Sequence, residues 1–500
     1  MSSKRLTYRF GPLEHRGMLG AIRREQAGVI ASGVVIAIAI MDRIASAAGV
    51  FAAVIVFGSA VLVALVPLGR LTAAEWAPIF ASFVTRRLSG RSRSRSRAPS
   101  NGMLGRFARG SAGHIQIDPG PPDAPADLRG VRVIEVDYND ARIGALSELR
   151  GRQLTAVLAC RVVAFSLLDP EARERRLARW GLVLSGAAGG AIRRIQWIER
   201  TAPAQGDQLA RWLHGERDPA IPLRGTPMIE SYLELIGTTA RVSQEHEILV
   251  AVQVDGRRIR DRATRAIARA VVEQTERVAQ GLEAAEVTVL GALSTGQLAR
   301  ALRTAFDPYA RAELAELEAA DPERDGVGEA SAWPLGAEDG WDRYRSDGAL
   351  HATFWIGGWP RVDVSPMFMD ALLGRSNAVR TVAVTFEPLP AERSTREVEA
   401  AVTRDRADRE LRERFGQSET ARHRQAHEAT LRREAELAAG HAEVRLAGFV
   451  TVSGRDNDEL LRACSEVHEH AARARLELHR MYGQQAVAFT FTLPLCRGLR

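Results

Sequence analysis

Residues 27–68 constrain everything else in this chain of 500 residues. The stretch is apolar almost throughout, and its only charged residues are Asp42 and Arg43, side by side near its middle. As one helix it would run about 60 Å, twice a ~30 Å hydrocarbon core. That helix would also set the charged pair near the bilayer centre, where each such residue costs roughly 2.5–3.5 kcal/mol. Breaking the stretch at the pair removes both problems and predicts two helices, over residues 27–41 and 45–68, joined by a minimal polar turn. The first is short for a span and borrows a turn from residues 23–26, whose arginines can snorkel to the interface. A buried helical pair in a soluble core is the alternative. The uncharged length of the second run favours a membrane hairpin.

The flanks set the orientation. Lys4, Arg5, Arg9, Arg16, Arg23 and Arg24 precede the hairpin, and Arg70, Arg86, Arg87, Arg91, Arg93, Arg95 and Arg97 follow it. By the positive-inside rule both termini lie in the cytoplasm, with everything after residue 70, at the inner face of the plasma membrane. The first apolar run starts too late for a cleaved signal peptide and is followed at once by a second.

The net charge of +7 is local: residues 86–109 carry eight arginines and no acid, and the remainder is close to neutral. That distribution argues against a general nucleic-acid-binding surface. Lys4 is the only lysine. A phosphate-binding Walker loop, Schiff-base chemistry and a kinase-type lysine therefore have no residue to use in the soluble part. Cys160, Cys464 and Cys496 lie far apart without metal or redox spacing, as in buried thiols of a reducing compartment. The arginine and alanine bias points to a GC-rich genome.

Along the chain, residues 1–26 form a cytoplasmic lead-in and residues 69–112 an interfacial helix with an Arg/Ser linker. The helix opens on a capping-box pattern, Thr72 to Glu75, and Trp76 on its first turn suits an interfacial anchor. Residues 89–113 are too polar to pack, and their arginines are expected to touch anionic lipid headgroups. A first α/β domain is expected over 113–309, with strands at 113–117, 131–138, 153–167, 192–199, 247–254 and 287–290. Its helices fall at 170–184, 208–216, 228–238, 264–282 and 295–306. Residues 310–340 read as an acidic linker. A second, α+β domain is expected over 341–500. It has strands at 349–356, 361–364, 379–387, 444–452 and 486–493 and a short helix at 366–372. A charged helical hairpin over 395–436, broken near 415–417, and a helix over 456–481 complete it. That order suits a ferredoxin-like unit with an inserted helical hairpin.

No catalytic constellation stands out. His423 and His427 are spaced for a metal on a helix, but Arg424 replaces the glutamate such a motif needs, and Arg422 and Arg424 repel a cation. Cys464, His468 and His470 share a helix without a separated fourth ligand. The Gly186–Gly190 run follows a helix and precedes a strand, opposite to a dinucleotide loop, and reads as a helix end and turn. Asp169-Pro170 with Arg173, Arg175, Arg176 and Arg179 reads as a helix with mixed charge. Trp355 and Trp359 in FWIGGWP, near Trp333 and Trp341, make the densest aromatic cluster, either a partner surface or core packing.

The entry RREQ, the exit VPLGRLTAAEWAP and the hairpin between them resemble the short PrgI-like membrane subunits of conjugative type IV secretion systems. LTAVLACRVVAFSLLDPEARERRLARWGLVLSG, IRRIQWIERTAP and HEILVAVQVDGRR are similar to the soluble part of an actinobacterial conjugation membrane protein family. WPRVDVSPMFMDALL, VRTVAVTFEPLPAERSTREVE and RREAELAAGHAEVRLAGFVTVS fit the same family, so the resemblance runs nearly end to end. The soluble fold also resembles the non-catalytic N-terminal part of conjugation ATPases. The resemblance implies a non-enzymatic scaffold without cofactor or metal, whose partners are membrane lipids, a secretion ATPase and other channel subunits. Self-association stays open. An EccE-like subunit of a type VII machine is the alternative, and the resemblance supplies no catalytic residues.

Overall fold

The computed structural model describes residues 24–44, 46–68, 71–96, 124–139, 141–161, 168–203, 227–228, 231, 244–261, 263–311, 314, 329–360, 362, 364–374, 376–414, 431, 433–435, 437 and 442–499. The chain divides into two compact units, one ending at Ser92 and the other beginning at Arg93.

The first unit holds α1 (Arg24–Arg43) and α2 (Ala47–Leu65). The break falls at the charged pair, because α1 stops at Arg43 and Ser46 caps α2, its hydroxyl accepting from the Gly49 amide at 3.4 Å. Gly49 is required there, since a Cβ would stand 1.9 Å from the Ile44 carbonyl oxygen. The two helices approach closely where Gly33 meets Ala60; a Cβ on Gly33 would lie 2.4 Å from that of Ala60. Val35, Ile38, Phe51, Val54 and Leu62 point outward, each more than 60% exposed. Water penalises such a surface and hydrocarbon does not. Both helices are long and apolar enough to cross a membrane. A two-residue ladder, β1 (Pro67–Leu68) with β2 (Leu71–Thr72), leads into α3 (Ala73–Leu88), where Glu75 accepts from the Thr72 amide at 2.8 Å.

The second unit is built on a 13-stranded sheet whose pairings are all antiparallel. Its strands are β3 (Arg93–Arg95), β4 (Arg132–Tyr138), β5 (Ala141–Glu148), β6 (Gln153–Arg161), β7 (Ile192–Pro203), β8 (Gln244–Asp255) and β9 (Thr288–Ala292). They continue with β10 (Gly336–Asp339), β11 (Tyr344–Ser346), β12 (Ala349–Gly358), β13 (Val379–Pro388), β14 (Val444–Gly454) and β15 (Glu477–Arg480). The spatial order is β3-β10-β11-β12-β14-β13-β7-β8-β6-β5-β4, with β15 also against β12 and β9 against β6. β7 and β13 pair from Ile195↔Phe386 to Thr201↔Arg380, so one sheet runs through the sequence on both sides of residues 310–340.

Alternation along the strands sends side chains to two cores. On one face, Ile195, Val250 and Val252 lie under α4 (Pro170–Gly186) and α5 (Thr264–Ala284), with Val278 and Leu282 of α5 in the same cluster. Phe354, Val450 and Val452 pack on Leu460 and Val467 of α9 (Asn457–Arg473), with Leu372 of α7 (Asp370–Leu373) in the same cluster. On the other face, Ile198, Leu249, Ala251 and Ala383 meet Leu298, Leu302 and Phe306 of α6 (Thr295–Phe306) and Phe489, Leu493 and Leu495 of the C-terminal segment. α8 (Ala391–Arg414) begins the long charged excursion.

Several local expectations are corrected. Residues 486–493, whose alternating apolar pattern reads as a strand, form α10 (Gln485–Phe489) and a 3-10 turn over Thr490–Thr492. The neighbouring ladders of β12 are already taken by β11, β14 and β15, and the Gln485 side chain bonds the Thr353 amide at 2.8 Å, which lays the segment on the sheet face instead. The expected helix over 456–481 ends at Arg473. Arg475 turns left-handed at φ 57°, Leu476 N–H reaches back to Ala471 O at 2.8 Å, and the chain leaves as β15. β5, β10 and β11 are strands the pattern did not announce. Arg93–Arg95, expected to be too polar to pack, is an edge strand on β10. A mixed α/β region around a large antiparallel sheet is thus present. The expected strand at 113–117 and half of that at 361–364, helix 208–216 and most of 228–238, and the break and most of the second arm of the helical hairpin fall outside the described residues.

Candidate functional site

The residues expected to meet lipid are spread over both units. Arg23, Arg70 and Arg97 lie outside the described residues, and Arg24 opens α1. Trp76 is half-buried on the first turn of α3; Arg86 is half-buried and Arg87 exposed on its last turn; Arg91 is exposed in the turn that follows. Arg93 and Arg95 are the exposed residues of β3. The strand register then adds groups from far along the sequence. Glu338 stands opposite Arg93 on one side and Arg345 on the other, while Gly336 stands opposite Arg95.

These side chains, with Ser94, Ala337 and Asp347, line an open hollow of about 380 Å³. Gly336 has no side chain to fill it, and a Cβ there would touch nothing within 4 Å. Glu338 is committed to Arg93, whose Nε and Nη2 donate to its Oε1 at 2.9 and 2.8 Å. Asp347 is committed to Arg303 and to the Gly336 amide, the latter at 2.8 Å. Arg95 and Arg345 are exposed and have no ionic partner among the described residues. The hollow therefore presents uncompensated guanidinium groups, the donors best matched to a phosphate or carboxylate.

Trp355 and Trp359 are not brought to this place. Trp355 is half-buried on β12 with its ring 5.6 Å from that of His479, and Trp359 packs half-buried against the Phe354–Val450 core. Both are tied into packing, and neither stands clear of the surface.

Three buried polar groups lie elsewhere, with little local signal in the sequence. His351 is fully buried between Ser346, Ser453 and the Phe306 carbonyl, at 2.9, 2.8 and 2.9 Å. A carbonyl can only accept, so Nε2 carries the proton and Nδ1 accepts from Ser453. Burial pushes the imidazole down to about 4, against the opposing pull of the Phe306 bond. Every neighbour is neutral, and the ring is sealed from solvent. Arg200 and Arg311 both donate to Glu247 Oε2, at 3.0 and 2.9 Å. Desolvation alone would raise the Glu247 carboxyl; Arg200, Arg311 and Arg300 outweigh it and hold the group below the usual range.

The third group is a ladder of sheet side chains that holds the C-terminal tail. Gln196 donates to Phe491 O at 2.7 Å and accepts from Cys496 N at 2.8 Å. Gln253 donates to Leu495 O at 3.1 Å and Thr385 to Arg497 O at 3.1 Å. Arg194 donates to Cys496 O at 3.2 Å and to Leu499 O at 2.9 Å while pairing with Glu387 at 2.9 Å.

No cluster able to hold a metal occurs among the described residues. Cys464 is buried, which pushes its thiol up to about 11, and His468 sets its ring edge-on to Phe354 at 4.8 Å. His423 and His427 lie outside the described residues. Compared with known proteins, the chain matches no family model and no curated protein.

Proposed function

We propose that this protein is a non-enzymatic scaffold of the inner membrane, anchored by α1 and α2 with both termini in the cytoplasm, which docks a secretion ATPase and neighbouring channel subunits of a conjugative, type IV-like machine. The observation that carries the reading is the helix pair itself. Its outward apolar surface suits hydrocarbon, arginines flank both of its ends, and a large antiparallel sheet unit follows it in the chain. An anchored scaffold works by raising the local concentration of the motor it holds and needs no reaction of its own. The resemblance of the sequence segments to conjugation membrane proteins supports the choice of machine. The ferredoxin-like reading of the second sheet region belongs to this proposal as the docking region, with the half-buried Trp355 and Trp359 supporting its surface from within the packing.

Co-purification of the tagged full chain from detergent tests it. An ATPase and polytopic subunits should come down in near-stoichiometric amounts, and a carboxyl-terminal reporter should be active only in the cytoplasm. Repeated recovery of the protein alone, or a reporter active outside, would overturn the reading. Recovery with small secreted WxG-type proteins would assign it to a type VII machine instead.

A further inference from the structure

We infer that the hollow between β3, β10 and β11 is a phosphate-binding site for the headgroup of an anionic lipid, built by the sheet from residues such as Arg93 and Glu338 that lie 245 positions apart in the sequence. The inference rests on the membrane anchoring proposed above and on no part of the machine.

Geometry makes the case. Neighbouring strands lie about 4.8 Å apart and alternate residues of a strand about 6.8 Å apart. Arg93 therefore roots about 7 Å from Arg95 and about 10 Å from Arg345, and Arg95 and Arg345 root about 12 Å apart. A single tetrahedral phosphate is within reach of two guanidinium forks from such roots. Gly336 leaves the floor open between them, where any side chain would occupy the space a headgroup needs. The two acids that could neutralise the site are already engaged: Glu338 by Arg93, and Asp347 by Arg303 and the Gly336 amide. Arg95 and Arg345 are left exposed with no counter-charge among the described residues.

Lipid is favoured over a soluble phosphate by the position of β3 in the chain. α3 ends at Leu88 and β3 starts at Arg93. The four intervening residues span at most about 17 Å when fully extended. The strand that supplies Arg93 and Arg95 is thus tethered directly to the segment that leaves the apolar helices. A linear run of arginines would attract an anionic surface without any shape. The sheet converts part of that run into a defined site by adding Arg345 and removing a side chain at Gly336.

The test uses the full chain in neutral detergent, with short-chain phosphatidylglycerol, short-chain phosphatidylcholine and inorganic phosphate as separate probes. Arg345→Gln and Arg95→Gln should each weaken phosphatidylglycerol binding about tenfold, the loss of one charge-assisted contact. Arg132→Gln, exposed on β4 at the opposite edge of the sheet, is the control and should change nothing. Glu338→Gln should strengthen binding by removing the acid that competes for Arg93. Equal effects of Arg345→Gln and Arg132→Gln would overturn the site and leave only diffuse attraction by the arginine run. Binding of inorganic phosphate as tight as that of phosphatidylglycerol, with the same dependence on Arg345, would overturn the assignment to lipid. None of these outcomes affects the recovery of an ATPase, so the two proposals fail separately.

Discussion

Polar side chains at the middle and at the edge of the same sheet have opposite fates. In the middle, Arg194, Gln196, Gln253 and Thr385 each turn a donor toward the C-terminal tail, and Arg194 also pairs with a buried carboxylate. At the β3 edge, Arg95 and Arg345 stand exposed with no ionic partner among the described residues. The difference teaches how to separate architecture from binding in a protein without an evident active site. A polar group that the fold itself satisfies holds the fold, whereas one left over in a hollow is available to something else.

The sharpest way to break that contrast is at Arg194. Its guanidinium pairs with Glu387, both side chains being about one-tenth exposed, and it also holds two tail carbonyls. Arg194→Met would leave Glu387 as a buried charge without its partner, a loss of about 3–5 kcal/mol. Chemical denaturation of the full chain in detergent should register that loss as a lower midpoint. A change below about 1 kcal/mol would show that the middle of the sheet tolerates polar groups as loosely as the edge does.

His351 supplies the next largest effect, and its sign is fixed by burial. A free imidazole titrates near 6.5 and this one has been pushed down to about 4. Unfolding therefore takes up a proton between those values, so stability is full above pH 6.5 and declines as pH falls toward 4. The total decline from this one ring is about 3 kcal/mol. Because carboxylates titrate in the same range, the measurement is a difference: the stability gap between wild type and His351→Gln should narrow by about that amount between pH 7 and pH 4. A gap independent of pH would mean that the ring takes up its proton as readily in the fold as in the unfolded chain, so that the Ser346–His351–Ser453 network carries charge at about pH 4.

The same contrast explains what could be read from the sequence. The hairpin was legible because Asp42 and Arg43 interrupt an otherwise uncharged run, and the fold breaks after Arg43. β8, β13 and β14 were legible because buried strands are runs rich in branched residues, β7 because its apolar and polar residues alternate, and α5 and α6 because their apolar stripes are periodic. β5 was missed although Asn139, left-handed at φ 49°, marks its turn from β4. β3, β10 and β11 were missed because short edge strands carry charge, which reads as linker. The tail was misread because its alternating apolar residues match a strand, while the glutamines that pin it sit some 240 to 300 positions away. For the candidate site, the arginines of β3 were visible as charge. Their partners Gly336, Glu338 and Arg345 had no local signal, since only the register of three strands brings them together.

The smallest predicted effect is the most discriminating. If the edge arginines do nothing for the fold, Arg345→Gln should alter stability by less than about 0.5 kcal/mol, the range of ordinary surface substitutions. Arg345 is exposed, forms no ion pair among the described residues and sits beside Glu338, which Arg93 already neutralises. A denaturation midpoint unchanged from wild type, together with weakened phosphatidylglycerol binding, would place Arg345 wholly on the binding side of the comparison. A loss of 1 kcal/mol or more would instead make Arg345 a second partner of Glu338 that the fold depends on. The contrast between satisfied middle and unsatisfied edge would then collapse at the very residue chosen to represent it, because a guanidinium the fold needs is not free to hold a headgroup.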